Sequence, residues 1–198
     1  MSESVLHLAR IHAHICGDGH IYTEKGEYGL RYVVEYTNRD LSLVNDFIFN
    51  IYKLLGKYPT VIRRDNKNVF VVRIKSKSLY KKLIALGAGK SHEWTIPLIF
   101  TNNSEVFIEW LSAFIDDEAY IDNNKNRIII NSINNVGLSQ ICNTLKTNGH
   151  MCKLYNYIKH NTTRLTIPRK KNVCKLAHQL KLASNTKKRK LREICLEN

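Results

Sequence analysis

Two stretches of this sequence can be laid over one another: Ile11-His12-Ala13-His14-Ile15-Cys16-Gly17-Asp18-Gly19 and Leu111-Ser112-Ala113-Phe114-Ile115-Asp116-Asp117-Glu118-Ala119. In that register Asp18 falls on Glu118, and 118 − 18 = 100 residues is about half of the 198-residue chain. Duplication of one folding unit produces such a spacing. The chain is therefore expected to be two similar halves, each opened by a helix that ends on an acid.

The order of elements repeats accordingly. Val5, Leu8, Ile11 and Ile15 recur at helical spacing before Gly17-Asp18-Gly19 breaks the pattern. Strands are expected at His20 to Tyr22 and at Leu30 to Thr37, around a polar connection from Thr23 to Glu27. Asp40 caps a helix running to Leu55, which Gly56 closes. Strands from Pro59 to Arg64 and Val69 to Lys75 and a helix from Ser76 or Ser78 to near Gly87 complete αββαββα. In the second half a helix from Ser104 to Asp117 precedes strands at Ala119 to Asp122 and Arg127 to Asn131 and a helix over 135–148. Strands at His150 to Tyr157 and Thr162 to Ile167 follow, then a helix from Pro168 to Ala183. The expected class is α+β: two pseudo-symmetric αββαββα halves, each an antiparallel sheet saddle backed by helices, packed through the two motif helices. The halves are 1–87 and 103–185, with 88–102 a linker of hinge character and 186–198 a basic tail with no assigned role.

The chemistry lies where the two leading helices end. Small residues at Ala13, Gly17 and Ala113 let helices approach closely, so that acids at their C-terminal ends stand side by side. Two hard oxygen ligands with room for water and phosphate oxygens suit Mg²⁺, which activates water and stabilises a leaving oxygen in phosphodiester displacement. Asp116 and Asp117 adjoin Glu118, so the choice of acid in the second copy stays open.

With both motif copies in matching context, the sequence resembles the LAGLIDADG homing endonucleases in their single-chain form. Gly89-Lys90 and Ile96-Pro97 ahead of Phe107-Ile108-Glu109-Trp110-Leu111 extend the likeness over nearly the whole chain. The resemblance implies a monomeric, metal-dependent endonuclease that cuts both strands of a long asymmetric target across the minor groove. It assigns catalysis and metal binding to Asp18 and Glu118, adds Gly17 and Asp117 as metal ligands, and makes Asn38 and Arg39 catalytic auxiliaries at the end of a strand. Mg²⁺ is the expected cofactor, with Mn²⁺ as a substitute. The second copy departs from the family pattern with Asp117 at the small position, and the stretch Asn131-Ser132 carries no Lys or Arg to match Arg39. Biased nicking would follow.

Thirty-one Lys and Arg against 17 Asp and Glu, a net charge of +14, favour a polyanionic partner. Alternation along the strands selects residues for the sheet face turned away from the helices and laid in the major groove. These are Arg31, Val33, Glu35, Arg63, Arg73 and Lys75 in the first half, and Arg127, Lys153, Tyr155 and Arg164 in the second. Double-stranded DNA is the expected partner. An RNA-splicing maturase acting on intron RNA and a non-catalytic DNA-binding regulator are the alternatives, and retention of both acids weighs against the regulator.

Other readings are weaker. Cys16, Cys142, Cys152, Cys174 and Cys195 lack Cys-x-x-Cys spacing, and their odd number is read as reduced, mostly buried thiols. His12 and His14 point in different directions on a helix, and Cys152, Cys174, His150 and His178 lack zinc-finger spacing. Trp94 and Trp110 are expected in the core or at the hinge. No apolar run nears the roughly 18 residues needed to span a bilayer, so an intracellular protein is expected. With neither an N-terminal nucleophile nor a terminal His-Asn, an intron-encoded or free-standing origin is expected over an intein.

Overall fold

The computed structural model describes residues 3–27, 29–157 and 161–196. The first half runs α1 (Glu3–Cys16), β1 (Gly19–Gly26), β2 (Gly29–Asn38), α2 (Leu41–Leu55), β3 (Thr60–Arg64), β4 (Val69–Lys75) and α3 (Lys77–Ala85). The short α4 (Leu98–Thr101) leads into the second half: α5 (Ser104–Glu118), β5 (Ala119–Asp122), β6 (Arg127–Ser132), α6 (Asn135–Thr147), β7 (Lys153–Tyr157), β8 (Thr162–Ile167), α7 (Lys170–Ala177) and α8 (Asn185–Leu196). Each half contains one four-stranded antiparallel sheet, ordered β1-β2-β4-β3 in the first and β5-β6-β8-β7 in the second. The α+β class and the pseudo-symmetric repeat are as the sequence implies.

Helix ends follow local chemistry. Asp40 caps α2 by accepting from the Ser42 amide, and Gly56 closes it at φ 64°, a left-handed conformation that costs glycine little. Ser76 caps α3 and Asn134 caps α6 in the same manner. The three-residue 3₁₀ turns joining β3 to β4 and β5 to β6 both end on an asparagine of positive φ, Asn68 and Asn126.

The two halves meet along α1 and α5. Every residue from Leu8 to Cys16 and from Val106 to Asp116 is buried. Helices buried all round belong in the middle of a fold, and these two form the seam on which the inner faces of both sheets close. Val34, Tyr36, Val72 and Ile74 cover it from the first sheet, and Ile128, Ile130, Leu165 and Ile167 from the second. No helix among the described residues is long and apolar enough to cross a membrane.

Several expectations need correction. The hairpin after α1 is longer than expected: residues 23–26 pair in strand rather than forming a loop, because the ladder runs unbroken from Gly19↔Tyr36 to Gly26↔Gly29. The segment after α3 is no free hinge, since Trp94 and Ile96 are buried and Gln140 pairs with both backbone groups of Ile96. A Cβ on Gly137 would run into the Trp94 ring, so α6 holds the segment by lacking a side chain there. The helix expected from Pro168 to Ala183 begins at Lys170, after Arg169 at φ 71°, and stops at Ala177. The chain then crosses the α1/α5 seam, where Ser112 and Asp116 compete successfully for its amides: Lys181 N donates to Ser112 Oγ (2.9 Å) and Ala183 N to Asp116 Oδ2 (2.5 Å).

The basic end of the chain is a docked helix, α8, with Leu191 and Ile194 buried; the last two residues of the expected tail lie outside the described residues. Four cysteines are paired rather than reduced. Cys142 joins Cys152, and Cys174 joins Cys195, which ties α7 to α8. Only Cys16 is free, and it is buried. Spacing along the chain gave no sign of either bond, because each is closed by packing between elements.

Candidate active site and nucleic-acid interface

At the C-terminal ends of α1 and α5 the backbones are so close that a Cβ on Gly17 would stand 2.8 Å from Asp117 Cβ. Asp117 therefore occupies the space a side chain at 17 would need, and the acidic residue at a normally small position is accommodated by the glycine opposite. Its carboxylate is fully enclosed. His14 Nδ1 donates to Oδ2 (2.8 Å) and the Tyr36 hydroxyl to Oδ1 (2.7 Å). Both side-chain oxygens of Asp117, expected as a metal ligand, thus have protein partners.

His14 bridges two carboxylates, donating from Nε2 to Asp46 Oδ2 at 3.0 Å as well. Burial works against its charged form, but Asp117 and Asp46 outweigh it and hold the imidazolium up to about 9. Asp46, despite burial, is drawn down to about 2 by His14 and Arg10. Arg10 reaches Asp46 through Nη2 (2.9 Å) and Glu109 through Nη1 (3.0 Å), and Lys181 Nζ closes the chain of charges on Glu109 at 2.6 Å. Two residues before His14, and pointing elsewhere, His12 is neutral: it accepts from Trp110 Nε1 (2.9 Å), faces the Leu86 carbonyl at 3.0 Å, and is pushed down to about 4 by burial.

Three consecutive acids end α5, and the structure separates their roles. Asp116, buried, accepts the amides of Ala183 and Ser184 and holds the crossing chain. Asp117 answers His14 and Tyr36. Glu118 makes no hydrogen bond or ion pair among the described residues, and it faces Asp18 across the seam closely enough that the two charges repel.

Burial pushes Glu118 up to about 7, helped by Asp18 and Asp117 and opposed by Lys187. Burial likewise pushes Asp18 up to about 6, helped by Asp117 and opposed by His14, Lys187 and a hydrogen bond from Asn38. Asp18 nonetheless keeps an exposed edge at the mouth of the seam. Asn38 Nδ2 lies 2.9 Å from Asp18 Oδ2 and 3.0 Å from the Tyr36 hydroxyl, which makes it a positioning residue for the first acid. Arg39, beside it, is exposed.

The pairings Gly19↔Tyr36 and Ala119↔Ile130 align the strand ends of the two halves. By that register Asn38-Arg39 corresponds to Ser132-Ile133, one residue beyond the expected Asn131-Ser132. No basic residue stands there on the strand. Lys187 of α8 comes in from outside the repeat instead, donating to the Ile115 carbonyl (2.8 Å) and to the Asp116 carbonyl at the end of α5. Composition marked the run that contains Lys187, but nothing in the sequence marked where it docks. His14, Tyr36 and Asp46 were missed for a similar reason: each looks like an ordinary helix or strand residue until the packing brings Asp117 between them.

The remaining question is what could be held between the acids. Two carboxyls kept high by burial and by neighbouring acids are relieved by a cation, and as hard oxygen donors they fit a divalent one. No cluster of three or more His, Cys, Asp or Glu side chains among the described residues is arranged to hold a metal. Any remaining ligands would come from backbone, water or phosphate, which leaves Gly17 available only through its main chain.

The sheet faces turned away from the seam carry most, though not all, of the expected residues. Register places Arg31, Glu35, Arg73 and Lys75 on one such face, with Arg127, Lys153, Tyr155 and Arg164 on the other. Arg63 is a correction. It pairs with Phe70, whose neighbours Val72 and Ile74 face the core, and its guanidinium lies over the Phe70 ring; Arg64 takes the outward position. Val33 is another, since it points outward but is wholly covered by its neighbours. Glu35 is engaged by Arg73 (2.6 Å) and Tyr22 (3.0 Å), Arg127 by Asp122 (2.9 Å), and Arg164 by Asn131 (2.9 Å) and the Tyr157 ring. Arg31, Lys153 and Tyr155 are exposed.

No family model matches this sequence, and no curated protein matches it. Solved structures do. Mesophilic variants of the homing endonuclease I-DmoI align with a TM-score of 0.71 at 20% identity, over 92% of this chain and 99% of that one. I-DmoI in complex with DNA and Mn aligns at 0.69, with 18% identity over 90% and 97%. The homing endonuclease I-WcaI bound to its DNA recognition sequence gives 0.63 at 13% identity, over 100% of this chain and 89% of that one. The chain thus has the pseudo-symmetric, single-chain fold of the LAGLIDADG homing endonucleases, with Asp18 and Glu118 where its two central helices end.

Proposed function

We propose that the chain is a site-specific DNA endonuclease that hydrolyses both strands of a long asymmetric duplex across the minor groove, with a divalent metal at Asp18 and Glu118. The observation that carries this reading is the acid pair itself. Two carboxyls brought together by close-packed helices, without enough positive charge to settle them, are costly in a protein that only binds. They are also repulsive to the phosphate of a polyanion. A cation shared with phosphate oxygens removes both costs.

When bound there, Mg²⁺, or Mn²⁺ in its place, would lower the pKa of a coordinated water and stabilise the departing oxygen. The protein's own residues prepare that arrangement. Asn38 fixes the rotamer of Asp18 through its side-chain amide. His14 and Tyr36 engage both oxygens of Asp117, whereas Asp18 accepts from Asn38 and Glu118 has no hydrogen-bond partner among the described residues. Lys187 anchors the last turn of α5, from which Glu118 projects. Since one chain supplies both acids, a monomer suffices for both cuts, and the basic outer sheet faces supply the binding surface for a net charge of +14.

The test is incubation with a library of long randomised duplexes, with and without Mg²⁺, followed by sequencing of the ends, alongside Asp18→Asn and Glu118→Gln. Metal-dependent double-strand cuts at one long site, lost in both variants, are expected. Because metal must compete with protons for groups shifted to about 6 and 7, cleavage at limiting metal should rise as pH passes through that range. Tight binding without any cut under Mg²⁺ or Mn²⁺ would overturn the nuclease reading in favour of a regulator, or of a maturase if intron RNA is bound instead.

A further inference from the structure

The basic run from Lys187 to Arg192 lies outside the duplicated unit, and only Lys187 enters the site described above. Its setting gives α8 a definite orientation. Leu191 and Ile194 are buried, Asn123 Nδ2 donates to Glu193 Oε2 at 2.5 Å, and Lys187 is fastened to the end of α5. Positions 187, 190 and 194, spaced three and four apart, share one face, which is turned toward β5 and the acid pair. Lys188 and Arg192 lie on another side, lining a cavity between α7 and α8.

Lys190 is the informative residue. Its Nζ sits 5.2 Å from the centre of the Tyr120 ring. Tyr120 pairs with Ile129, and the β6 and β8 register puts both on the outward face with Asn131 and Arg164. Tyr120 is 56% exposed. Arg189 has Glu193 at 3.6 Å as a counter-charge, whereas among the described residues Lys190 has no carboxylate in ion-pair range. An ammonium held on an aromatic face at the rim of a basic sheet, without its own anion, is suited to a phosphate oxygen.

We propose that α8 forms a phosphodiester-binding edge of the second half, in which Lys190, seated on Tyr120, grips one backbone phosphate of a duplex lying on the second sheet. Lys187 fixes the helix beside Glu118, so that the same helix spans from the acid pair to the rim. This rests on the DNA reading above and adds to it a binding element that the duplicated halves do not contain.

Binding of a labelled mixed-sequence duplex, measured across a salt series without divalent metal, tests it. Lys190→Gln should reduce the slope of log K against log salt by about 0.9, the value for one phosphate contact, while Lys190→Arg should restore it. Lys188→Gln removes the same charge from the other side of α8 and should leave the slope nearly unchanged. A wild-type slope retained in Lys190→Gln, or an equal loss in Lys188→Gln, overturns the edge while leaving the DNA reading standing. No duplex binding by the wild type would remove both. A slope loss seen only with an RNA hairpin would assign the edge to RNA and likewise overturn the proposal.

Discussion

A single methyl group at residue 17 would stand 2.8 Å from Asp117 Cβ, a separation that real side chains do not tolerate. Gly17 is needed here for the approach of another residue rather than for an unusual φ, since its own backbone is not left-handed. Gly17→Ala should therefore force α1 and α5 apart and destabilise the fold by about 1–3 kcal/mol, the range for overpacked cores. Chemical denaturation reads this directly. In a cycle with Asp117→Gly, which removes the Cβ itself, the double variant should lose less than the sum of the singles, because the contact at 2.8 Å no longer exists; strict additivity would place the cost of the alanine elsewhere. Asn38 works at the same scale by a different means, since its amide aims an acid without packing against it.

Between elements, the notable device is the run of charges through the seam. His14 and Arg10 on α1 join Asp46 on α2, Asp117 and Glu109 on α5, and Lys181 of the crossing chain. Removing one member strands a buried partner, so His14→Gln should cost on the order of 3–5 kcal/mol. The pH dependence has a definite sign. His14 is raised from 6.5 to about 9 in the folded protein, so its contribution is complete below about pH 6.5 and is lost as pH rises through about 9. Asp46 is depressed to about 2, so its contribution is present above its ordinary value and lost as pH falls toward about 2. Urea midpoints should accordingly decline in the wild type between about pH 6.5 and 9 and stay flatter in His14→Gln. Equal slopes would remove His14 from the network. The raised carboxyls of Asp18 and Glu118 act in a lower window, losing stability as pH rises toward about 7, so the two effects are separable.

At the scale of the whole molecule the two halves are alike in topology and unlike at their strand ends. The first presents Asn38-Arg39 beside its acid, and the second presents Ser132-Ile133, with Lys187 arriving from α8. If each acid serves one scissile phosphate, unequal surroundings imply unequal rates. One strand should be cut faster, and Asn38→Ala should slow one cut by roughly ten- to a hundredfold, since a hydrogen bond to a charged group contributes about 1.5–3 kcal/mol. Strand-resolved cleavage of end-labelled duplex checks both, and identical rates in the wild type would sink the asymmetry.

What was legible in the sequence was whatever depends on neighbours along the chain. The 100-residue repeat, the helix caps at Asp40 and Ser76, the stop at Gly56 and the alternation of the strands are local, and they sufficed for the fold and for Asp18 and Glu118 as the acids at helix ends. Other features depended on which elements meet. Arg63 fell on the wrong face because the β3–β4 register, settled by the turn between them, decides parity. Val33 alternated correctly yet is covered by its neighbours. Among three adjacent acids the register with Asp18 picked out Glu118, and only packing shows that the other two have partners of their own, Ala183 and Ser184 for Asp116, His14 and Tyr36 for Asp117. Both disulfides and the docking of α8 likewise came from segments brought together across the fold. Propensity and periodicity act over a few residues and so can be read along a chain, whereas hydrogen-bond partners and buried charges are assigned by packing, which only the tertiary structure decides.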